Sequence, residues 1–303
     1  MILQYLGTAA AEGIPALFCQ CPVCRAARKA GGREVRTRSG AIIDGKLKLD
    51  FGPDSFVHMQ RYGLDYMNLQ GVLITHTHSD HLIPDELEFR IPGYCYQENG
   101  EKPQTTLTFY GNEQTGRCIQ RFTGHPSHCL AFQRMVPFET VPIGDYQVTA
   151  LEAVHCQDRN GGCAFPVRFQ GRTFYRAEEA LIYLIEKDGQ RILYAHDTCE
   201  FSEANIAWLA GRRLDLVSLD CTGSARHYDY SGWAGHMNSE SCLKMREKLI
   251  SIGAADENTL FVASHFSHNG YTSFEDIQRI TPGFIIAYDG LTLNAAEGRK
   301  GAL

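Results

Sequence analysis

The chain has 303 residues, 44% of them hydrophobic, enough to bury one large core or two small ones. Its formal charge of −6 gives no global basic footprint, which disfavours long nucleic acid as a partner and leaves only a local basic patch to evade that reading. No apolar run reaches membrane-spanning length and the start, Met1-Ile2-Leu3-Gln4-Tyr5-Leu6-Gly7, lacks the pattern of an export signal, so a soluble cytoplasmic protein with no membrane partner is expected. Eleven cysteines, an odd number in a long chain, are better explained by free thiols and metal ligation than by disulfides.

Ile2 to Leu6 alternates as an opening strand and runs into a small-residue loop, Gly7 to Gly13. Cys19-Gln20-Cys21-Pro22-Val23-Cys24 then places three thiols in six residues, with Pro22 stiffening the turn. Three sulfurs so spaced suit one tetrahedral ion, zinc by preference because thiolates select soft or borderline metals, and a closed site of that kind is structural. It needs a fourth ligand from elsewhere. Ser39 to Ile43 and Lys46 to Phe51 read as a hairpin turning at Asp44-Gly45. A helix over Asp54 to Tyr62 follows, on which His58 reads as an ordinary side chain.

The stretch from Gly71 to His81 is the chemical centre of the sequence. Val72 to Ile74 reads as a buried strand that empties into Thr75-His76-Thr77-His78-Ser79-Asp80-His81, three imidazoles and a carboxylate within six positions. In extended backbone His76, His78 and Asp80 share a face, and His81 comes round as the chain turns into the next helix. Such a cluster holds two metals, whereas buried His and Asp without partners would cost several kcal/mol.

Beyond it, Pro84 to Phe89 suggests a helix, and Thr105 to Tyr110 a strand. Ile91 to Pro103 reads as a loop long enough to overhang a site, with pocket-shaping insertions expected near 91–130 and 156–180. His125 and His128 read as surface-loop histidines. Gln147 to Val154 alternates as a strand ending in His155, and Phe165 to Phe169 and Ala180 to Glu186 suggest two more. Arg191 to Ala195 is a short apolar strand ending in His196-Asp197-Thr198; Leu214 to Leu219 is another, followed by a loop holding His227 and His236 and a helix over Ser239 to Ile250. Thr259 to Ala263 opens onto Ser264-His265-Phe266-Ser267-His268. Candidates spread from His76 to His268 must meet, which favours one domain over 1–303.

His76-x-His78-x-Asp80-His81 after an apolar strand resembles the signature of the metallo-β-lactamase superfamily, and later residues match its remaining motifs in order. The resemblance implies an α/β fold class: an αββα four-layer sandwich of two mixed sheets face to face, with metals at one edge. It implies that Asp50 supports the metal loop by hydrogen bonds. His76, His78, His155 and Asp197 would hold a first ion, and Asp80, His81, Asp197 and His265 a second, with Asp197 bridging. Zn, Mn or Fe all suit such ligands. A Cys in the place of Asp197 would suggest a β-lactam enzyme, and Cys199 does not occupy it. His196 matches no motif and is read as supporting or structural.

The resemblance further implies a metal-dependent hydrolase in which a metal-bridging hydroxide attacks, with His236 (His227 in reserve) assisting the leaving group as in phosphodiesterases. His268, three residues after His265, is free to complete the site of Cys19, Cys21 and Cys24. That combination resembles the phosphoribosyl cyclic phosphodiesterases associated with carbon–phosphorus lyase, and the substrate implied is a small phosphodiester, cyclic forms included. A Cys triplet here is also similar to pyrroloquinoline-quinone biosynthesis B proteins, which admits an accessory role with little hydrolysis. A tRNA-processing endonuclease and a thioester or lactone hydrolase share the ligand set. A homodimer is compatible with the sequence.

Overall fold

The structure is a computed structural model that describes residues 1–101, 103–125, 129–155, 164–169, 172–177, 180–226, 235–270 and 272–300. One seven-stranded sheet combines β1 (Ile2–Gly7), β2 (Gly40–Ile43), β3 (Leu47–Leu49), β4 (Gly71–Leu73), β5 (Leu107–Gly111) and β6 (Leu130–Arg134) with the late β16 (Thr292–Asn294), in the order β16-β1-β2-β3-β4-β5-β6. The second holds β7 (Thr140–Ile143), β8 (Tyr146–Glu152), β11 (Leu181–Lys187), β12 (Gln190–Ala195), β13 (Leu216–Asp220), β14 (Leu260–Ser264) and β15 (Ile285–Ile286), in the order β15-β14-β13-β12-β11-β8-β7. A separate hairpin pairs β9 (Ala164–Phe169) with β10 (Arg172–Ala177). The sequence reading has only the first of these two strands.

Side-chain alternation builds the layers. Along β11, Leu181, Tyr183 and Ile185 enter the core between the sheets with Leu3, Tyr5, Ile43 and Leu49, while Ile182 and Leu184 join an outer core. That outer core packs under α4 (Glu203–Leu209), α5 (Ser239–Ser251) and α6 (Phe274–Ile280) through Leu209, Met245, Leu249 and Ile277. On the other flank Ile42, Val72 and Phe109 meet Ile119 and Phe122 of α3 (Glu113–Thr123). The remaining helices are α1 (Pro22–Ala30) and α2 (Ser55–Tyr62). Strands buried on both faces read as unbroken apolar runs, and each large side chain so buried contributes about 1.5–3 kcal/mol. The expected αββα sandwich is the observed one.

The Asp44-Gly45 turn has φ of 51° and 67°, the left-handed pair that a two-residue hairpin demands. Asp44 also accepts from Ile2 N at 2.7 Å and from the Tyr146 hydroxyl at 3.0 Å, tying one sheet to the other. The 84–89 segment is a 3-10 helix.

Strand direction decides where the site lies. β3 to β6 run parallel in one sheet and β12 to β15 in the other. β8 is antiparallel to β11, itself antiparallel to β12, so β8 points the same way as β12. The C-terminal ends of β3, β4, β8, β12, β13 and β14 therefore open toward Asp50, His76, His155, Asp197, Asp220 and His265, the end of a sheet where open α/β folds place ligands. Leu181 N donating to Thr75 O at 2.9 Å and Tyr183 OH donating to Ile74 O at 2.6 Å draw the sheets together there.

Candidate metal centre

Side chains from both sheets converge at this edge. His76, His78 and His155 form one group with ligand atoms within 4.8 Å of one another; His76, His81 and Asp197 form a second, Asp80, His81 and His265 a third, and Asp197, Asp220, His236 and His265 a fourth. One feature differs from the sequence reading. Asp80 does not share a face with His76 and His78, because the chain turns at once: His81 N and Leu82 N both donate to His78 O, at 3.0 and 2.9 Å. The turn sends Asp80 toward His81 and His265, with Asp80 Oδ2 3.0 Å from His81 Nε2. Asp50, Asp197 and His265 have φ of 60°, 52° and 62°, a left-handed backbone costing roughly 1–2 kcal/mol per residue, where the chain leaves a strand to deliver a functional side chain.

Four of the rings are oriented from behind. His81 Nδ1 donates to Asp50 Oδ2 at 2.7 Å, His155 Nδ1 to Gly235 O at 2.9 Å, His265 Nδ1 to Thr222 Oγ1 at 2.8 Å and His76 Nδ1 to Thr75 Oγ1 at 3.0 Å. These bonds assign the Nδ1–H tautomer and leave the Nε2 lone pairs facing inward, the arrangement that fixes metal-ligating histidines. Asp50 Oδ1 also accepts from Thr75 N at 2.8 Å and Thr75 Oγ1 at 2.9 Å, so Asp50 supports the loop from behind and is a positioning residue. It does not cap α2, whose N-cap is Asp54.

The chemistry of the donors tests whether a cation fits. His81 Nε2 and His265 Nε2 each lie 2.9 Å from Asp197 Oδ2, yet all three atoms are buried without a hydrogen bond. Three unsatisfied buried atoms facing one another would be costly, and a shared divalent cation satisfies all of them. His76 Nε2 lies 2.7 Å from His78 Nδ1, which is 3.4 Å from His155 Nε2. Burial pushes the His76 imidazole well below its ordinary range and His155 to about 4, holding both as neutral donors. Asp197 lies well below the carboxylate range although burial opposes it, because His265 and His81 face it.

At the rim His236 Nδ1 donates to Asp220 Oδ2 at 2.9 Å and stands 3.8 Å from Asp197 Oδ1. Burial opposes its charge, but Asp220 outweighs burial and raises the imidazole to about 9. Asp220 has no role in the sequence reading. It is fully buried and also accepts from Asp197 N at 3.0 Å, Thr222 N at 2.9 Å and Met237 N at 3.2 Å. The available signal was its place as a carboxylate ending an apolar strand.

The structure brings the four groups of the thiol module together. Cys19, Cys21, Cys24 and His268 have ligand atoms within 4.8 Å of one another, with His268 Nδ1 3.5 Å from Cys19 Sγ and 3.4 Å from Cys21 Sγ. Cys21 Sγ caps α1 by accepting from Cys24 N at 3.4 Å, and Cys19 Sγ accepts from Cys21 N at 3.4 Å. Backbone donors to sulfur favour the thiolate that a metal requires, and the Cys21 amide draws the Cys19 thiol down. The other imidazole nitrogen of His268 lies 3.5 Å from Glu12 Oε1.

Comparison with known proteins decides the family. A family described as the beta-lactamase superfamily domain matches residues 49–266, a span containing every member of the His/Asp cluster. The chain belongs to this superfamily. Its activity class is that of a metal-dependent hydrolase. No curated protein matches. Among solved structures, a diphosphatase from the PhnP family is 21% identical, with 96% of each chain covered and a TM-score of 0.68. Zn(2+)-bound PqqB from Methylobacterium extorquens is 21% identical over 97% of this chain and 100% of its own, also with a TM-score of 0.68. Human tRNase Z, short form, is 16% identical over 97% and 99%, with a TM-score of 0.62. At these identities the structural likenesses establish the fold.

Several other readings resolve within this superfamily fold. His196 lies between Ser218 Oγ at 2.8 Å and Ser39 Oγ at 3.1 Å against the Tyr194 ring, in a structural position. Cys199 accepts from Gly235 N at 2.8 Å, bracing the His236 loop. His58 is more than an ordinary helix side chain: it is buried, with Nε2 2.7 Å from Thr37 Oγ1, and burial lowers it to about 3. The loop from Ile91 does not overhang the cluster where described. Arg90 Nη2 reaches Thr105 O at 3.0 Å and Cys95 Sγ reaches Met67 Sδ at 3.5 Å, both at the N-terminal ends of β4 and β5, the opposite edge of the sheet. His128, His227 and, within the 156–180 insertion, residues 156–163, 170–171 and 178–179 lie outside the described residues. Among the described residues no helix is long and apolar enough to cross a membrane.

Proposed function

We propose that the chain, acting as one unit over 1–303, hydrolyses a small phosphodiester in the cytoplasm with two divalent ions at the His/Asp edge and a structural zinc at the thiol module. His76, His78, His155 and Asp197 would hold one ion and Asp80, His81, Asp197 and His265 the other. Zn, Mn and Fe each suit this donor set. When bound, such a pair polarises a phosphoryl oxygen and acidifies water.

The rest is done by the chain's own residues. Asp50, Thr75, Thr222 and the Gly235 carbonyl fix the inward nitrogens, so the site needs no rearrangement to accept charge. The observation that carries the phosphodiester reading is the His236–Asp220 pair at 2.9 Å beside the cluster. A cationic imidazole there is suited to hand a proton to a departing alkoxide, which esters with a good aryloxide leaving group do not need. The similar PhnP-family diphosphatase, named for hydrolysis at phosphorus, points the same way.

The test is a leaving-group series on the Mn²⁺- or Zn²⁺-loaded enzyme: alkyl and 4-nitrophenyl phosphodiesters, cyclic phosphates, a thioester and a lactone. Phosphodiesters are expected to turn over fastest. His236→Gln should cost the alkyl and cyclic substrates about 10²–10⁴-fold and the 4-nitrophenyl ester far less. Preference for thioesters, or equal losses across leaving groups, would refute the reading. The equal TM-score of PqqB supports a second reading, an accessory protein with little hydrolysis. Biological function surviving Asp80→Ala and His236→Ala together would favour it.

A further inference from the structure

We propose that Lys48 is a positioning residue of the metal site, locking the Asp50–Phe51 peptide that grips His81 at both its ring and its backbone. The inference rests on the reading of His81 as a metal ligand. Lys48 sits on β3 between Ile42 and Val72, its neighbours across the ladder, on the face that packs the apolar layer against α3. It is only 1% exposed. An ammonium in such a layer is expensive, and a Leu or Met there would pack without that cost. Its Nζ lies 5.5 and 5.6 Å from the rings of Phe51 and Tyr66, and it donates to Asp50 O at 2.6 Å.

That carbonyl belongs to a peptide unit with both ends engaged. Its N–H, on Phe51, donates to His81 O at 2.7 Å, while the Asp50 carboxylate takes the His81 Nδ1–H at 2.7 Å. Asp50 holds φ of 60°, a region that a non-glycine leaves readily unless its surroundings hold it. Rotation of the 50–51 peptide would carry the Phe51 N–H away from His81 O and swing the Asp50 side chain off the ring. The Lys48 ammonium opposes that rotation: it fixes the carbonyl end and supplies positive charge beside a buried carboxylate. Burial lowers the Lys48 ammonium to about 8 against the pull of Asp50, a cost that an apolar residue packed at this position would not carry.

The experiment is a Mn²⁺ titration read by electron paramagnetic resonance on protein whose thiol module is already filled with Zn²⁺, since a hard cation avoids thiolates. Wild type should take up two Mn²⁺. Lys48→Met should bind the ion held through His81 about 10–100-fold more weakly, the usual effect of removing a supporting partner, with the other ion changed less than threefold. Val72→Ala, on the same apolar layer, controls for lost packing and should lower Tm without weakening Mn²⁺ binding. Lys48→Arg, which keeps a cationic donor, should recover most of the affinity. If Lys48→Met does not fold, Lys48→Gln replaces it: its amide nitrogen is one bond short of the carbonyl, so a loss of tenfold or more supports the proposal. Wild-type affinity in either variant, or an equal loss in Val72→Ala, overturns it. A wild type that binds no Mn²⁺ at the His/Asp edge overturns the ligand assignment itself, and this proposal with it.

Discussion

The two ligand clusters are built on opposite principles. The thiol module takes three of its four groups from positions 19 to 24 and leaves Cys19, Cys21 and His268 partly exposed. The His/Asp edge takes mostly buried groups from the ends of β4, β8, β12, β13 and β14 and braces His76, His81, His155 and His265 with hydrogen bonds from behind. A local turn gathers most of the first, which then needs only His268 from beyond the end of β14. The second exists only when both sheets are in register, so its geometry reports on the whole sandwich. His265 and His268, three residues apart, tie the two together without making either depend on the other's chemistry.

The largest effect expected from that contrast is at the bridging carboxylate. Asp197→Asn should remove several kcal/mol of transition-state stabilisation, at least about 10³-fold in kcat, while leaving Zn²⁺ at the thiol module, as metal analysis would show. Next is Asp220→Asn. It should lower kcat for alkyl phosphodiesters about 10–100-fold and move the His236 titration, followed by NMR in metal-free protein, from about 9 toward the ordinary imidazole range. Loss of activity without movement of that titration would mean that Asp220 acts only on the Asp197 backbone.

Cys21→Ser sharpens the comparison from the other side. It should lower Tm by several degrees, as expected for the loss of a structural ion, yet leave Mn²⁺ uptake at the His/Asp edge within about twofold. A collapse of both would show that the module is part of the catalytic site.

The smallest effect is in the pH dependence of stability. His58 is held neutral with its imidazole lowered to about 3. Below about pH 6.5 the unfolded chain takes up a proton that the folded chain does not, so stability falls with acidification, by at most about 1.4 kcal/mol per pH unit, down to about pH 3. His58→Gln should flatten that slope in urea titrations between pH 6 and 4.

Legibility in the sequence follows the same division. The thiol triplet and the run from His76 to His81 were readable because their ligands are neighbours in sequence, and the sandwich through the family resemblance that the second run carries. Asp220 was not, since its value comes from His236, carried back by the loop before α5, and from Asp197, at the end of β12. Lys48 looked like a polar strand residue, and only the register with Ile42 and Val72 reveals that it is buried. The grouping of Asp80 was misjudged because alternation assumes extended backbone, and the bonds to His78 O end the extension. β10 has no counterpart in the sequence reading, and its pairing with β9 reveals the strand.

The central claim is that strand ends from both sheets gather two cations while a local turn gathers one. Anomalous diffraction from crystals loaded with Zn²⁺ tests it most directly. The account predicts three peaks: a pair about 3.5–4 Å apart flanking Asp197, and a third among Cys19, Cys21, Cys24 and His268. No peak at Asp197, or a single ion held by His268 together with His265, would contradict it.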